Sequence, residues 1–213
     1  LTVVITLLLG VRAVFTYMYL LMPKYWLRVI GPDAAIGTLQ AINPILIIIG
    51  IIVFIPFVNK FNIFKMLIYG AMISSLSLFM LVLPLQWFSS DIGTAHYIIS
   101  ISALILLSVG EVIWSPKLTE YTAQIAPEGQ EGTYLGLTMV PWFLAKTVVS
   151  VLSGHMLSRW CPEGIREPML NNTISFWESP AAMWLILGLV AFGGCVVALM
   201  LKKWLTAGTK VAC

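Results

Sequence analysis

The 213 residues are 60% hydrophobic and only 10% charged, and the mean hydropathy is +0.96. Soluble domains average about 45–50% apolar and about 25% charged residues, so the composition excludes a soluble fold and indicates a polytopic membrane protein. A net charge of +3 is too small to point to nucleic acid, and three cysteines supply neither a disulfide framework nor a metal-ligand spacing.

Apolar runs near the ~20 residues that cross about 30 Å of hydrocarbon recur at 2–22, 41–58, 66–87, 95–114, 134–157 and 181–201. These runs are too long for barrel strands, so the sequence predicts an all-α membrane protein, a six-transmembrane-helix bundle filling one domain over 1–213. The first run begins at Leu1 with no starting Met and no charged flank, which reads as a chain whose N-terminal part is missing. Arg12 within the run, and the lack of a small-residue cleavage site, argue against a cleaved signal peptide.

In the first predicted span Arg12 shares a helical face with Thr16 and Tyr19, and a lone membrane arginine with hydroxyls beside it is expected to look into the bundle. The second span opens with Gln40, Asn43 and Pro44; the Asn43 amide suits either a substrate contact or a cap for the backbone freed by the proline. Lys60 and Lys65 lie in the short link to the third span. Ser74, Ser75 and Ser77 in the third span, and Ala191, Gly194, Cys195 and Ala198 in the last, read as helix-packing scaffold.

The fourth and fifth spans differ. Ser100, Ser108, Glu111 and Ser115 fall on one face of the fourth, with Trp114 one turn from Glu111. Thr138, Trp142, Lys146, Ser150 and Ser153 repeat the pattern in the fifth, placing the Trp142 ring within reach of the Lys146 ammonium or of a ligand. A charge at the middle of a membrane helix costs roughly 2.5–3.5 kcal/mol on insertion scales, so both stripes are expected to face a partner or a water-accessible cavity. Between the spans, the polar stretch 117–132 reads as a loop broken by Pro127, Gly129 and Gly132. Arg12, Glu111 and Lys146 together leave one surplus cation; pairing of Lys146 with Glu111, Arg12 remaining over, is the expectation favoured, with the opposite pairing close behind it. His96 and His155 have no metal spacing, and no phosphate loop, nucleophile elbow or carboxylate pair is present, so neither an enzyme nor a cofactor site is expected.

With the chain start inside, inner segments hold Lys60, Lys65, Lys117, Lys202, Lys203 and Lys210, against Lys24, Arg28, Arg159 and Arg166 outside, a positive-inside bias. The sequon at Asn171 falls in an outer loop, the side on which it is usable.

Gly110-Glu111 through Ser115-Pro116, followed by Ala126-Pro127, Gly132 and Gly136, resembles the tenth helix and following loop of major facilitator transporters, most closely the proton-coupled oligopeptide branch. The run from Asn43-Pro44 to the turn near Lys60 is similar to the eighth helix of that branch. The resemblance implies helices seven to twelve of a twelve-helix fold, the N-terminal half of the same protein being its partner across the site. It further implies a secondary transporter in a plasma or inner membrane, taking up a small-molecule substrate with H+ by alternating access. By position, Glu111 matches the glutamate that faces the substrate's amino end. Where that branch carries an acidic coupling residue on its seventh helix, this chain has Arg12. The substrate-binding or proton-coupling set expected is Glu111, Lys146, Arg12, Trp142, Trp114, Asn43, Tyr19 and Ser108. A multipass channel or receptor-like bundle is the alternative, in which a polar pore runs through one bundle.

Overall fold

A computed structural model of the chain describes residues 16–58 and 60–201. Residues 16–20 are helical and run into α1 (Met22–Val29) without a break, since the Leu21 N–H donates to Tyr17 and the Tyr25 N–H to Leu21. There follow α2 (Ile36–Val58), α3 (Ile63–Met80), α4 (Ile92–Ile125), α5 (Glu131–Leu137), α6 (Val140–Trp160), α7 (Arg166–Leu170) and α8 (Pro180–Met200), with short 3-10 turns at Leu85–Trp87 and Phe176–Glu178. No strand occurs among the described residues. Five stretches there are long and apolar enough to cross a membrane, 36–54, 63–80, 92–124, 131–160 and 180–200, which marks a multi-pass helical membrane protein. The first predicted span, and Arg12 with it, lies almost wholly outside the described residues.

Side-chain chemistry sets the helix starts. Asn62 accepts from the Lys65 N–H at 3.1 Å at the head of α3, and Asp91 accepts from the Thr94 N–H at 2.7 Å at the head of α4. That second bond holds the Asp91 carboxyl below the usual carboxylate range. The helix ends depart from expectation in instructive ways. α2 begins before residue 41 and carries Pro44 and Pro56 inside it, as membrane helices tolerate. α3 stops at Met80, short of residue 87, and Pro84 then leads the 3-10 turn.

The largest correction concerns α4, which passes residue 114, runs through Pro116 and ends at Ile125, 34 residues in all. The polar loop expected over 117–132 is therefore helical in its first half. Lys117, Leu118, Tyr121 and Thr122 are buried while Thr119, Glu120, Ala123 and Gln124 are exposed, the 3.6-residue rhythm of a half-buried helix. Tyr121 packs on Phe64, ring centroids 6.4 Å apart. Lys117, counted above as an inner-loop charge, is 3% exposed and paired with Glu120 at 2.7 Å. The helix stops at Ala126, held extended with ψ 141° ahead of Pro127. In the fifth span, Thr138 and Met139 interrupt the helix just ahead of Pro141, separating α5 from α6.

α4 is the central helix, packed against α3 on one side and α2 on another, while α3 also meets α8. The α3–α4 crossing is made by glycines. A Cβ on Gly70 would lie 2.8 Å from the Trp114 nitrogen and 2.9 Å from the Gly110 carbonyl oxygen, and one on Gly110 would overlap the Ser74 backbone and hydroxyl. On the other face of α3, Ser75 meets Cys195 (3.9 Å) and the Phe79 ring covers Gly188. Ala191, Cys195 and Ala198 form the buried small-residue face of α8, whereas Gly194 is half-buried with open space beside it. Arg28 ties the end of α1 to the end of α6, donating to the Cys161 carbonyl (2.6 Å) and sharing the Leu157 carbonyl (3.2 Å) with the Cys161 N–H.

Substituting alanine at Gly70 or Gly110 must separate two backbones, and overpacking of this kind typically costs about 1–3 kcal/mol. We expect each variant to unfold earlier in a denaturant titration in micelles, whereas Gly193→Ala, with open space at its Cβ, should be neutral or stabilising by up to about 1 kcal/mol.

Candidate functional site

Three helices meet where α4 carries its charge. Glu111 follows the Gly110 crossing directly, so the close approach of α3 turns the next residue of α4 toward α2. There Asn43, 1% exposed, donates from Nδ2 to Ser108 Oγ (3.0 Å) and to Glu111 Oε2 (3.0 Å). Ser108 in turn donates to the Leu104 carbonyl one turn back (2.7 Å). The Asn43 side chain thus bridges the two polar residues of α4, and its own Oδ1 is buried without a protein donor. Of the two roles the sequence leaves open to Asn43, a substrate contact or a backbone cap, its Nδ2 is not spent on a cap: it fixes the carboxylate.

Behind the carboxylate, Trp114 is 2% exposed and its Nε1 donates to Ser74 Oγ at 3.2 Å, while Ser74 donates to the Leu107 carbonyl at 3.3 Å. Trp114 is therefore a wall between α3 and α4, and Ser74, read above as scaffold, is its anchor. Tyr19, half-exposed ahead of α1, lies near enough to feel the Glu111 charge. Glu111, Asn43, Ser108 and Tyr19 are thus brought together, while Trp114 is buried on the α3 side with Ser74.

Lys146 and Trp142 are set elsewhere. The ion pairs given by the described residues join Arg28 to Glu163 (3.7 Å) and Lys117 to Glu120 (2.7 Å), so the expected Lys146–Glu111 pair is not formed. The reason is that α6 packs against α8 and the 176–178 turn, leaving most of its length uncovered. The Lys146 ammonium instead lies 5.3 Å from the centroid of the Trp142 ring, a cation–π contact within one helix. Arg12, the remaining member of the expected set, lies outside the described residues.

Sequence reasoning missed a second polar cluster at the other end of α4. His96 and Ser100, 2% and 0% exposed, bond to Tyr25 (3.0 Å) and Trp26 (2.9 Å) of α1. The i, i+4 spacing of His96 and Ser100 was visible, but a partner more than seventy residues away was not. Among the described residues no group of three His, Cys, Asp or Glu side chains is placed to hold a metal ion.

No protein-family model, curated protein or solved structure matches the chain.

Replacing Asn43 by Ala removes the donor that bridges Ser108 and Glu111. A hydrogen bond to a charged group is worth about 1.5–3 kcal/mol, so we expect a stability loss of about 2 kcal/mol in micelles. In a double-mutant cycle with Glu111→Gln, a coupling energy near zero would show that the two side chains do not act together.

Proposed function

We propose that the chain is the C-terminal six-helix half of a secondary active transporter of the twelve-helix major facilitator type. In this reading it moves a small polar solute, zwitterionic or anionic and including peptides, together with H+ by alternating access. The observation that carries this reading is the placement of Lys146: a charged residue at the middle of the 131–160 stretch, exposed, on a helix of membrane-crossing length. An ammonium there is not stable against lipid, so the uncovered side of α6 requires protein or water against it.

α2 supports the same arrangement. Of the five membrane-length stretches, those of α2 and α5–α6 have 17% and 18% of their most apolar window buried, against 39–50% for the other three. An apolar groove of about 210 Å³, walled by Ile49, Gly50 and Val53 of α2 and Ile105, Val109 and Val112 of α4, opens beside Ser108 and has the shape to receive side chains of another helical body. A second six-helix half lying over α2 and α6 would enclose Glu111, Tyr19, Trp142 and Lys146 in one cavity midway across the membrane, as two-body transporters require. Glu111, held by Asn43 and Ser108, is the residue assigned to proton coupling or to a cationic group of the solute. Lys146 and Arg12 are assigned to its anionic group.

The experiment uses the full-length protein in sealed vesicles loaded with a pH-sensitive dye. Adding a pool of di- and tripeptides should drive proton entry. Glu111→Gln should abolish gradient-driven accumulation while leaving counterflow exchange of the same peptides. Unimpaired accumulation would reduce Glu111 to a structural role, and steady ion conductance without solute would favour a channel.

A further inference from the structure

The cluster at the outer end of α4, outer in the orientation the lysine bias assigns, is not used by the transport reading. His96 is 2% exposed, and its Nδ1 lies 3.0 Å from the Tyr25 hydroxyl with the rings nearly perpendicular. Its Nε2 is buried and has no protein partner. Two neutral arrangements are open to the ring. Either Tyr25 donates and the Nε2–H faces no acceptor, or Nδ1–H donates to Tyr25 and Nε2 presents a bare lone pair. In both, Nε2 is the open valence of a buried imidazole.

The charged group that acts on it is Arg166. Arg166 of α7 reaches inward between two buried glycines: a Cβ on Gly31 would come within 3.0 Å of its Nη1, and one on Gly93 within 3.8 Å of its Nη2. Gly31 also has φ +129°, a conformation that side chains rarely adopt, so the niche depends on glycine twice over. From there Arg166 acts electrostatically on both Asp91 and His96, and its own Nε is buried without a partner. Asp91 is exposed at the surface and engaged as the cap of α4. The Cys161 thiol acts electrostatically on Tyr25, and Arg28 is bonded to the Cys161 carbonyl and paired with Glu163.

We infer that the His96–Tyr25 pair is a second proton-binding site of this protein, and that a proton taken up there loosens the outer end of the bundle around Arg166 and Cys161. From the arrangement with Nδ1–H the chemistry is one N–H bond formed at Nε2, with the proton drawn from bulk water and the ring gaining one positive charge; from the other, the proton adds at Nδ1, Tyr25 turns from donor to acceptor, and the same imidazolium results. Nδ1–H can then donate to the Tyr25 oxygen, which accepts as readily as it donates. The Nε2–H has no acceptor in the closed packing, and the new charge stands near the Arg166 guanidinium. Both penalties are relieved when water enters and Arg166 moves away. Protonation and closure are therefore antagonistic, and by linkage acid favours the loosened state. At about 1.5 Å per residue, His96 stands about 22 Å from Glu111 along α4. The two sites are separate, and this inference does not depend on the transport reading.

Cys161 is a built-in reporter. It is 0% exposed, and burial holds its thiol up at about 12, so it reacts only when water reaches it. The test is the rate of labelling by a water-soluble maleimide in purified full-length protein with every other cysteine replaced. No substrate is added. Dividing the rate by that of the His96→Gln variant at each pH cancels the thiol's own pH dependence. The ratio should rise several-fold from about pH 8 to about pH 5, the range in which histidine changes charge. Arg166→Gln, which removes the opposing cation and leaves His96 in place, should move the half-rise to higher pH. A flat ratio would overturn the inference. So would a midpoint that Arg166→Gln leaves unmoved.

Discussion

The backbone contact between Gly70 and Gly110 is the constraint on which the centre of the bundle depends. Without side chains at either position, α3 and α4 approach until the Gly110 carbonyl nearly touches the Gly70 Cα region. The residues that follow on α4 are then assigned to faces with no freedom left. Glu111 turns to α2 and its Asn43, and Trp114 turns to α3 and its Ser74. The carboxylate is thus aimed by steric contact of two backbones and fixed by one amide.

α4 carries its polar groups in two clusters on the side it buries. His96 and Ser100 bond to α1, and Ser108 and Glu111 bond to α2. Between them Ala103, Leu104 and Leu107 are at most 2% exposed, a dry collar about two turns deep. Buried polar networks are stable only when nearly satisfied. Each cluster here keeps an open valence, Asn43 Oδ1 in one and His96 Nε2 in the other. Ala103, Leu104 and Leu107 carry no hydrogen-bonding side chain, so they do not join the two openings to each other along α4.

Hydropathy located α2, α3 and α8 because a run of about twenty apolar residues has few alternatives in lipid. It failed past residue 114 because Lys117, Glu120 and Gln124 read as polar sequence, although their spacing leaves Leu118 and Tyr121 on a common buried face. The face shared by Ser108 and Glu111 was legible from helical spacing. Asn43 as their partner was not, since the register between two helices is settled by packing. Charge complementarity suggested Lys146 for Glu111, but the lean of α6 toward α8 decides where that lysine lies. His96 was passed over as a lone histidine, and its partner Tyr25 stands 71 positions earlier in the chain.

The bond from Arg28 to the Cys161 carbonyl has a consequence for how the protein is made. The two residues are 133 positions apart. At synthesis rates of about 5–20 residues per second, Arg28 emerges roughly 7–27 s before its acceptor exists. Through that interval the guanidinium at the end of α1 must be held by lipid headgroups or water. The turn after α6 that fastens the end of α1 is therefore made well after the cation it receives.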